Sequence, residues 1–170
     1  MVSNALLTSK NQEWETPHNF FEKLNKILSF TVDACANDKN AKLERYWSPE
    51  TDGLAQSWEG ERVWMNPPYQ NKSPKQIDWV RKAYTEVKDN GCQLAACLLP
   101  ARTDTKLFHN YVMKSTAIYF VCGRLRFVDA AASAVFPSMV VLFERSTYTL
   151  YPLGHQPTFG TMDAKGNILT

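Results

Sequence analysis

The tetrapeptide Asn66-Pro67-Pro68-Tyr69 is the segment of the sequence best suited to chemistry. Each proline lacks a backbone N–H, fixes its own φ angle and biases the preceding residue toward extended geometry. The turn therefore presents carbonyl acceptors without competing donors at the two proline positions. Asn66 adds a side-chain carbonyl, and Tyr69 adds a flat aromatic face. Together these groups fit a planar exocyclic amine, with acceptors for its two N–H groups and a platform for its ring.

Such a turn could also accelerate a reaction of the amine that it binds. The exocyclic nitrogen of adenine is a poor nucleophile, because its lone pair is delocalised into the ring. Acceptors that favour a developing tetrahedral nitrogen stabilise the transition state more than the planar ground state. A strong general base is not needed, since the nitrogen becomes acidic once it has gained a methyl group. The alternative interpretation is a tight surface turn with a packed tyrosine.

The elements around this turn predict an α/β fold. A strand at 62–65 runs directly into the turn, and further strands are predicted at 30–33, 94–99, 117–121, 139–143 and 148–151. Helices are predicted with Thr16 as N-cap and Pro17 as the first helical residue, with Ser73 and Gln76 as a capping box, and with Asp104 as N-cap. Alternation of strands and helices favours a mostly parallel sheet that is flanked by helices. Ligands bind at the carboxyl ends of the strands in such sheets, which is where the turn lies.

Length and composition restrict the classes of protein. A chain of 170 residues fits a single domain, and 44% hydrophobic with 21% charged residues is typical of a folded protein. No run approaches about 18 apolar residues and no signal peptide is recognisable, so we expect no membrane span and a cytoplasmic location. No zinc-ligand spacing occurs, so no metal site is expected. The expected reduced thiols are Cys35, Cys92, Cys97 and Cys122.

The net charge of +2 is unevenly distributed along the chain. Residues 62–90 carry six Lys/Arg against three Asp/Glu, and residues 100–127 carry five against one. Such basic blocks could bind a polyanion, although a solvated surface explains them equally well. The candidates for contacts with phosphates or base edges are Lys72, Lys75, Arg102, Lys106, Arg124 and Arg126.

Several further motifs occur in a characteristic order. They are Trp14-Glu15-Thr16-Pro17 with Phe20-Phe21, Val32 to Ala36 with Asn40, Asp52-Gly53-Leu54 with Trp58, Val63 to Tyr69, Leu98 to Thr105, Gly123 to Phe127, and Phe136-Pro137-Ser138. This series resembles the phage and prophage DNA adenine-N6 methyltransferases, which use S-adenosylmethionine. The resemblance covers residues 13–143. It implies a single-domain Rossmann-like methyltransferase fold over residues 1–170, with a C-terminal tail at 152–170.

The resemblance also implies roles for individual residues. Asn66, Pro67, Pro68 and Tyr69 would form the catalytic motif, and Asn66 would also border the cofactor. Asp33 would pair with the α-ammonium of the methionine moiety. Asp52 would accept a hydrogen bond from the cofactor's adenine amine, with a simple turn residue as an equal alternative. The remaining residues expected around the cofactor are Thr16, Pro17, Ala34 and Cys35.

The expected partner is double-stranded DNA. A target amine inside a duplex is out of reach, so the nucleotide must be flipped out, and Tyr69 would stack on the flipped base. Only 33 positions separate Asp33 from Asn66 in the numbering, too few for an inserted recognition domain. Target reading must therefore use loops, with a second copy of the chain in a homo-oligomer as a further hypothesis. A short recognition site follows from this.

Other functions share parts of this pattern. Methylation of a cytosine ring carbon is disfavoured, because that chemistry needs a cysteine nucleophile, usually after a proline, and no Pro-Cys occurs. Methylation of cytosine N4 uses the same acceptor geometry. A methyltransferase acting on protein glutamine or on an RNA amine is also compatible with the turn. A DNA-binding or anti-restriction module without catalytic activity is the alternative outside the enzymes.

Overall fold

The computed structural model describes residues 14–69, 73–128, 130, 132–145 and 157–169. The helices within these residues are α1 (His18–Leu28), α2 (Gln76–Asp89) and α3 (Lys106–Asn110), and a single 3₁₀ turn covers Val112–Lys114. The strands are β1 (Val32–Asp33), β2 (Arg62–Met65), β3 (Leu94–Pro100), β4 (Ala117–Cys122), β5 (Ser138–Glu144), β6 (Thr158–Asp163) and β7 (Ile168–Leu169). The predicted α/β class is confirmed.

The described strands form one sheet in the order β1-β2-β3-β5-β4-β6-β7. The pairs β1–β2, β2–β3 and β4–β6 are parallel. Strand β5 is antiparallel to both β3 and β4, and β7 is antiparallel to β6. The prediction of a mostly parallel sheet is therefore wrong, because half of these pairings are antiparallel. A parallel neighbour needs a crossover connection, usually a helix, and none of the described residues between β4 and β5 is helical.

Helices cover both faces of the sheet. Helix α1 packs on one face, and α2 and α3 pack on the other. Because successive side chains of a strand point to opposite faces, neighbouring residues of β2 and β3 belong to different layers. The α1 layer contains Phe20, Phe21, Leu24, Trp64, Leu98 and Val140. The opposite layer contains Trp79, Val80, Val63, Leu99, Phe108 and Val141.

Helix α1 begins at His18, one residue later than predicted. Its N-cap is Pro17, which makes no side-chain cap hydrogen bond, so Thr16 is not the N-cap. The hydroxyl of Thr16 instead accepts a hydrogen bond from the side chain of Asn66. Ile27, which has the spacing of the buried face, is 60% exposed near the end of the helix.

Helix α2 also has a different cap. The predicted box of Ser73 and Gln76 does not form, and Gln76 is the first helical residue. The backbone N–H of Lys75 donates to the carboxylate of Asp78 at 2.9 Å. An Asp in the first turn satisfies that N–H and interacts favourably with the helix dipole, so the helix starts two residues later than the serine suggests.

Helix α3 is shorter than its pattern predicts. Thr105, rather than Asp104, is the N-cap, and its hydroxyl accepts from the N–H of Phe108 at 3.2 Å. The helix ends at Asn110, and the chain continues through Tyr111 into the 3₁₀ turn. The apolar spacing is therefore shared between two short elements.

The C-terminal segment contains structure that the sequence does not signal. Strands β6 and β7 lie within the predicted tail, and β6 extends the sheet beside β4. Met162 is the one residue of these two strands that is fully buried, so their pattern lacks the apolar alternation of a typical strand. The strand predicted at 148–151 lies outside the described residues.

Two general expectations can be compared with the described residues. No helix among them combines the length and hydropathy that a membrane span requires. All four cysteines are free, as expected, with Cys92 and Cys97 buried and Cys122 exposed.

Candidate active site

The carboxyl ends of β1 and β2 meet at one edge of the sheet. The two strands are parallel neighbours, and Asp33 is the register partner of Trp64. The last residue of β1 therefore lies close to Asn66, which directly follows β2. This edge opens into a cavity of about 480 Å³, a volume typical of sites for small organic ligands.

Most of the residues expected around a cofactor line this cavity. They are Thr16, Asp33, Cys35, Asp52 and Asn66, and the cavity is also lined by Pro67 and Pro68. Two expected residues lie outside the lining. Pro17 is the N-cap of α1, and Ala34 is fully buried with its N–H donating to the carbonyl oxygen of Trp64 at 2.9 Å.

Asp33 is a buried carboxylate at the cavity wall, with only 3% of its surface exposed. Burial raises the pKa of this carboxyl to about 6, although hydrogen bonds from the N–H groups of Lys42 and Cys35 act in the opposite direction. Those bonds measure 3.1 Å and 3.4 Å. No ion pair to Asp33 is present among the described residues, so its charge is available to a cationic ligand.

The loop after β1 is held by its own side chains. The carbonyl oxygen of the Asn40 side chain accepts from the N–H of Asn37 at 2.8 Å, and that of Asn37 accepts from the N–H of Lys39 at 2.9 Å. Asn37 and Asn40 both line the cavity. Asparagine side chains of this kind stabilise tight turns locally, so the loop keeps its shape without a glycine.

Another part of the cavity wall depends on Gly53, which packs against Ala34 and Trp79. A Cβ atom at this position would lie 2.2 Å from the carbonyl oxygen of Ala34 and 3.2 Å from the ring of Trp79, so only glycine fits. The preceding residue, Asp52, has a φ of 49° and accepts a hydrogen bond from the N–H of Leu54 at 3.1 Å. Asp52 thus forms a turn, as one interpretation predicts, and it also lines the cavity, while its role as an acceptor for the cofactor stays a prediction.

The amide of Asn66 is held through its nitrogen. The Nδ2 atom donates to the backbone carbonyl of Trp14 and, at 3.1 Å, to the hydroxyl of Thr16. The Oδ1 atom is buried and accepts no hydrogen bond from any residue that the structure describes. A buried polar atom without a partner is costly, and in a cavity wall it is a candidate acceptor for a ligand.

Tyr69 does not line the cavity. Its ring packs against Phe127 at 6.4 Å and Phe136 at 5.4 Å between centroids. Its hydroxyl is buried without a partner in the described part of the chain, and burial raises the pKa of that hydroxyl well above its usual value. The residue as a whole remains partly exposed.

The predicted basic residues gather at the same edge of the sheet. Arg102 follows the carboxyl end of β3, and Arg124 and Arg126 follow that of β4, which runs parallel to β3. Lys75 and Lys106 lie at the N-terminal ends of α2 and α3. All five are exposed, and none has an ion-pair partner among the described residues. Lys72 lies outside those residues.

Sequence reasoning missed an ion pair at the mouth of the cavity. The ammonium of Lys42 lies 2.7 Å from the carboxylate of Glu15, and the Lys42 side chain is only 7% exposed. Both residues line the cavity, together with Trp47 and Trp79. Nothing in the spacing of Glu15 and Lys42 signals this pair, because the N-terminal segment and the loop after β1 meet only in the folded chain.

No group of three or more His, Cys, Asp or Glu side chains that could hold a metal lies within residues 14–69, 73–128, 130, 132–145 and 157–169.

The raised pKa of Asp33 predicts a pH dependence of stability. In the folded chain this carboxyl has a pKa of about 6, against 3.8 for the ordinary group. Between those values the folded state binds more protons than the unfolded state, so this group lowers stability as the pH rises. D33N lacks this carboxyl and therefore does not lose that stability. The difference in unfolding free energy between D33N and the wild type should thus shift in favour of D33N by on the order of 2 kcal/mol between about pH 4 and about pH 7.5.

Urea denaturation of both proteins at the two pH values measures this difference. D163N is the matched comparison, because hydrogen bonds from Asn167 lower the pKa of Asp163. Its difference from the wild type should change much less over this range, and with the opposite sign, because a carboxyl whose pKa lies below 3.8 loses its stabilising charge only as the pH falls below about 4. A D33N difference that does not change with pH would contradict the buried position of Asp33.

Comparison with known proteins places the chain in a family. A family model described as "DNA N-6-adenine-methyltransferase (Dam)" matches residues 3–150. The chain is 28% identical over 152 residues to the DNA N-6-adenine-methyltransferase of Haemophilus phage HP1, and the aligned segment covers 85% of each protein. It is 31% identical over 97 residues to the protein of the same name from Escherichia phage T1, covering 56% of this chain and 38% of that one. The chain belongs to the family of DNA adenine-N6 methyltransferases.

Proposed function

We propose that the chain transfers a methyl group from S-adenosylmethionine to the N6 amine of adenine in a short double-stranded DNA site. The observation that carries this proposal is the buried Oδ1 of Asn66 at the end of β2, which accepts no hydrogen bond from the residues that the structure describes. Adenine specificity and the DNA substrate follow from the family. We further propose that the fold is the Rossmann-like fold of methyltransferases and that S-adenosylmethionine binds in the cavity.

The cavity fits the cofactor. S-adenosylmethionine supplies an electrophilic methyl group on a sulfonium sulfur. Asp33 would bind the α-ammonium of its methionine moiety, and an adjacent cation favours the ionised carboxylate that burial alone disfavours. Asp52, which is exposed and also lines the cavity, would accept from the adenine amine of the cofactor. Trp47 and Trp79 add aromatic surface to the lining.

The catalytic turn would act by accepting hydrogen bonds. Asn66 Oδ1 and a carbonyl of the Pro67-Pro68 pair would receive the two N–H groups of the target amine. These bonds strengthen as the nitrogen becomes tetrahedral and positively charged, so they lower the barrier rather than only the ground state. The cavity contact of Asn66, Pro67 and Pro68 supports this arrangement.

The target base must leave the duplex before it can reach the turn. The ring of Tyr69, a partly exposed residue, would stack on it, a contact that is worth roughly 1–3 kcal/mol in comparable complexes. Phe127 and Phe136 support that ring from the loop between β4 and β5. Because this loop adjoins the turn, it is our candidate for reading the bases around the target.

The exposed cations along the edge would bind the DNA backbone. Neighbouring strands lie about 4.8 Å apart, so the end of β3 at Arg102 is one strand from the turn and the end of β4 at Arg124 is about 14 Å away. Phosphates recur about every 3.4 Å along the axis on each strand of DNA, so cations separated by these distances can each contact a different phosphate of one duplex. The two named relatives are phage proteins, which supports protection of phage DNA in the host cytoplasm as the biological role. A homo-oligomer remains a hypothesis for target reading.

Methyl transfer to duplex DNA tests the proposed function directly. The purified protein is incubated with DNA and cofactor that carries a labelled methyl group, and the DNA is then digested to nucleosides. We expect the label in N6-methyladenine. Label in N4-methylcytosine would contradict adenine specificity, and no label in any nucleoside would favour the DNA-binding module without catalytic activity.

Replacement of the catalytic amide tests the role of the turn. N66A should lower the single-turnover rate by about 10²-fold or more, because a group that stabilises developing charge is lost. Its affinity for S-adenosylhomocysteine should stay within a few-fold of the wild-type value. N19A, at an exposed asparagine in the first turn of α1, is the control and should keep the wild-type rate. Loss of folded circular dichroism in N66A would instead identify a purely structural turn.

The basic edge predicts a specific salt dependence of DNA binding. If Arg102 and Arg124 each contact one phosphate, the double variant R102A/R124A should reduce the slope of log affinity against log salt by about 2. R45A is the control, because the guanidinium of Arg45 pairs with Glu61 at 2.6 Å, close to the amino end of β2. Equal slopes for R102A/R124A and R45A would contradict the proposed DNA interface.

A further inference from the structure

The segment 14–17 crosses the catalytic turn and ties three parts of the site together. The carbonyl of Trp14 and the hydroxyl of Thr16 both accept from Asn66 Nδ2. The carbonyl of Glu15 accepts from the N–H of Val128 in the loop between β4 and β5 at 3.0 Å. The carboxylate of Glu15 pairs with Lys42 in the loop after β1. The segment therefore contacts the turn, the cofactor loop and the candidate recognition loop.

The contacts of Asn66 fix which way its amide points. The backbone carbonyl of Trp14 can only accept a hydrogen bond, so the atom of Asn66 that faces it must be the nitrogen. The second N–H of the same nitrogen is taken by Thr16. With both hydrogens bound, the amide cannot exchange its ends, and the oxygen is left without a partner among the described residues.

Of the two acceptors that hold the Asn66 amide, only the one on Thr16 is a side-chain group, since the acceptor on Trp14 belongs to the backbone. Its hydroxyl is not occupied in capping α1, because the N-cap is Pro17. The residue is 2% exposed, and its branched Cβ restricts the rotamers that the hydroxyl can adopt. A buried and sterically restricted acceptor is well suited to holding a neighbouring group in one orientation.

We propose that Thr16 is a positioning residue, which orients the Asn66 amide so that Oδ1 rather than Nδ2 is presented to the target amine. This inference rests on the proposed function, because it assigns to Asn66 the acceptor role in methyl transfer. Without the hydroxyl, one N–H of the amide loses its partner, and the amide gains freedom to rotate. Fewer molecules then hold the acceptor in place when the transition state forms.

Kinetics of T16V and T16S test this role. T16V removes the acceptor with little change in size, and we expect kcat to fall by about 10-fold or more, since a buried donor loses its partner. KM for DNA and affinity for S-adenosylhomocysteine should change by less than about threefold, which is well below the expected loss in kcat. Quenching of tryptophan fluorescence can report that affinity, because Trp14, Trp47, Trp64 and Trp79 line the cavity. T16S keeps the hydroxyl and should restore most of kcat.

A matched control removes an equivalent hydrogen bond elsewhere. The hydroxyl of Thr116 accepts from the N–H of Glu144 at 2.9 Å, at the opposite edge of the sheet. T116V should keep the wild-type kcat. A T16V enzyme with unchanged kcat, or one whose loss lies in cofactor affinity and is not restored by T16S, would overturn the positioning role.

Nuclear magnetic resonance of the side-chain amide separates this inference from the proposed function. The two Nδ2 protons of Asn66, assigned by their absence in N66A, should have distinct shifts in the wild type. One of them should move upfield in T16V and return in T16S. If the wild type methylates no adenine, the proposed function fails whatever these shifts show. If the shifts are the same in T16V, the positioning role fails even in an active enzyme.

Discussion

The parallel pairing of β1 with β2 determines where the chemistry of this chain can occur. Because parallel strands end at the same edge, the pairing brings the buried carboxylate of Asp33 next to the amide of Asn66. Each group is expensive to bury in the absence of a ligand: the carboxyl of Asp33 has a raised pKa, and Oδ1 of Asn66 has no partner in the described chain. A folded protein tolerates such groups mainly where a ligand later satisfies them.

The negative and the positive charges of the site lie in different places. The negative charge of Asp33 lies inside the cavity, where only a small cationic ligand can reach it. The positive charges of Arg102, Arg124 and Arg126 lie outside, on the exposed loops that follow β3 and β4. Under the proposed function, this arrangement would attract a cationic cofactor and a polyanionic substrate to adjacent sites, with the proline turn between them. The aromatic cluster of Trp14, Phe127 and Phe136 joins the two sites on the side of Tyr69.

Much of the fold could be predicted from the sequence, and the errors have physical causes. Strands β2 to β5 are apolar and short, so periodicity locates them well. The starts of two helices were misplaced because polar side chains make other hydrogen bonds than the local pattern suggests. The hydroxyl of Thr16 binds Asn66 instead of capping α1. In α2, the carboxylate of Asp78 binds the N–H of Lys75, and the predicted capping box does not form. Strand β6 escaped prediction because it is mostly exposed and gains its order from pairing with β4.

The candidate site was also predicted only in part from the sequence. The proline turn and Asp33 carry local signals, because their residue types are tied to a strand end. The Glu15–Lys42 pair and the wall formed by Trp47 carry none, since they depend on segments that meet only in three dimensions. The antiparallel insertion of β5 likewise depends on long-range pairing, which no local pattern specifies.

The most direct measurement is a crystal structure of the protein with S-adenosylhomocysteine and a duplex that carries the site defined by its methylation products. Our account predicts a flipped adenine whose N6 lies about 2.7–3.2 Å from Asn66 Oδ1, with the amino-acid end of the ligand at Asp33. An adenine whose N6 contacts neither Oδ1 nor the proline carbonyls, or a ligand bound outside the cavity, would contradict it.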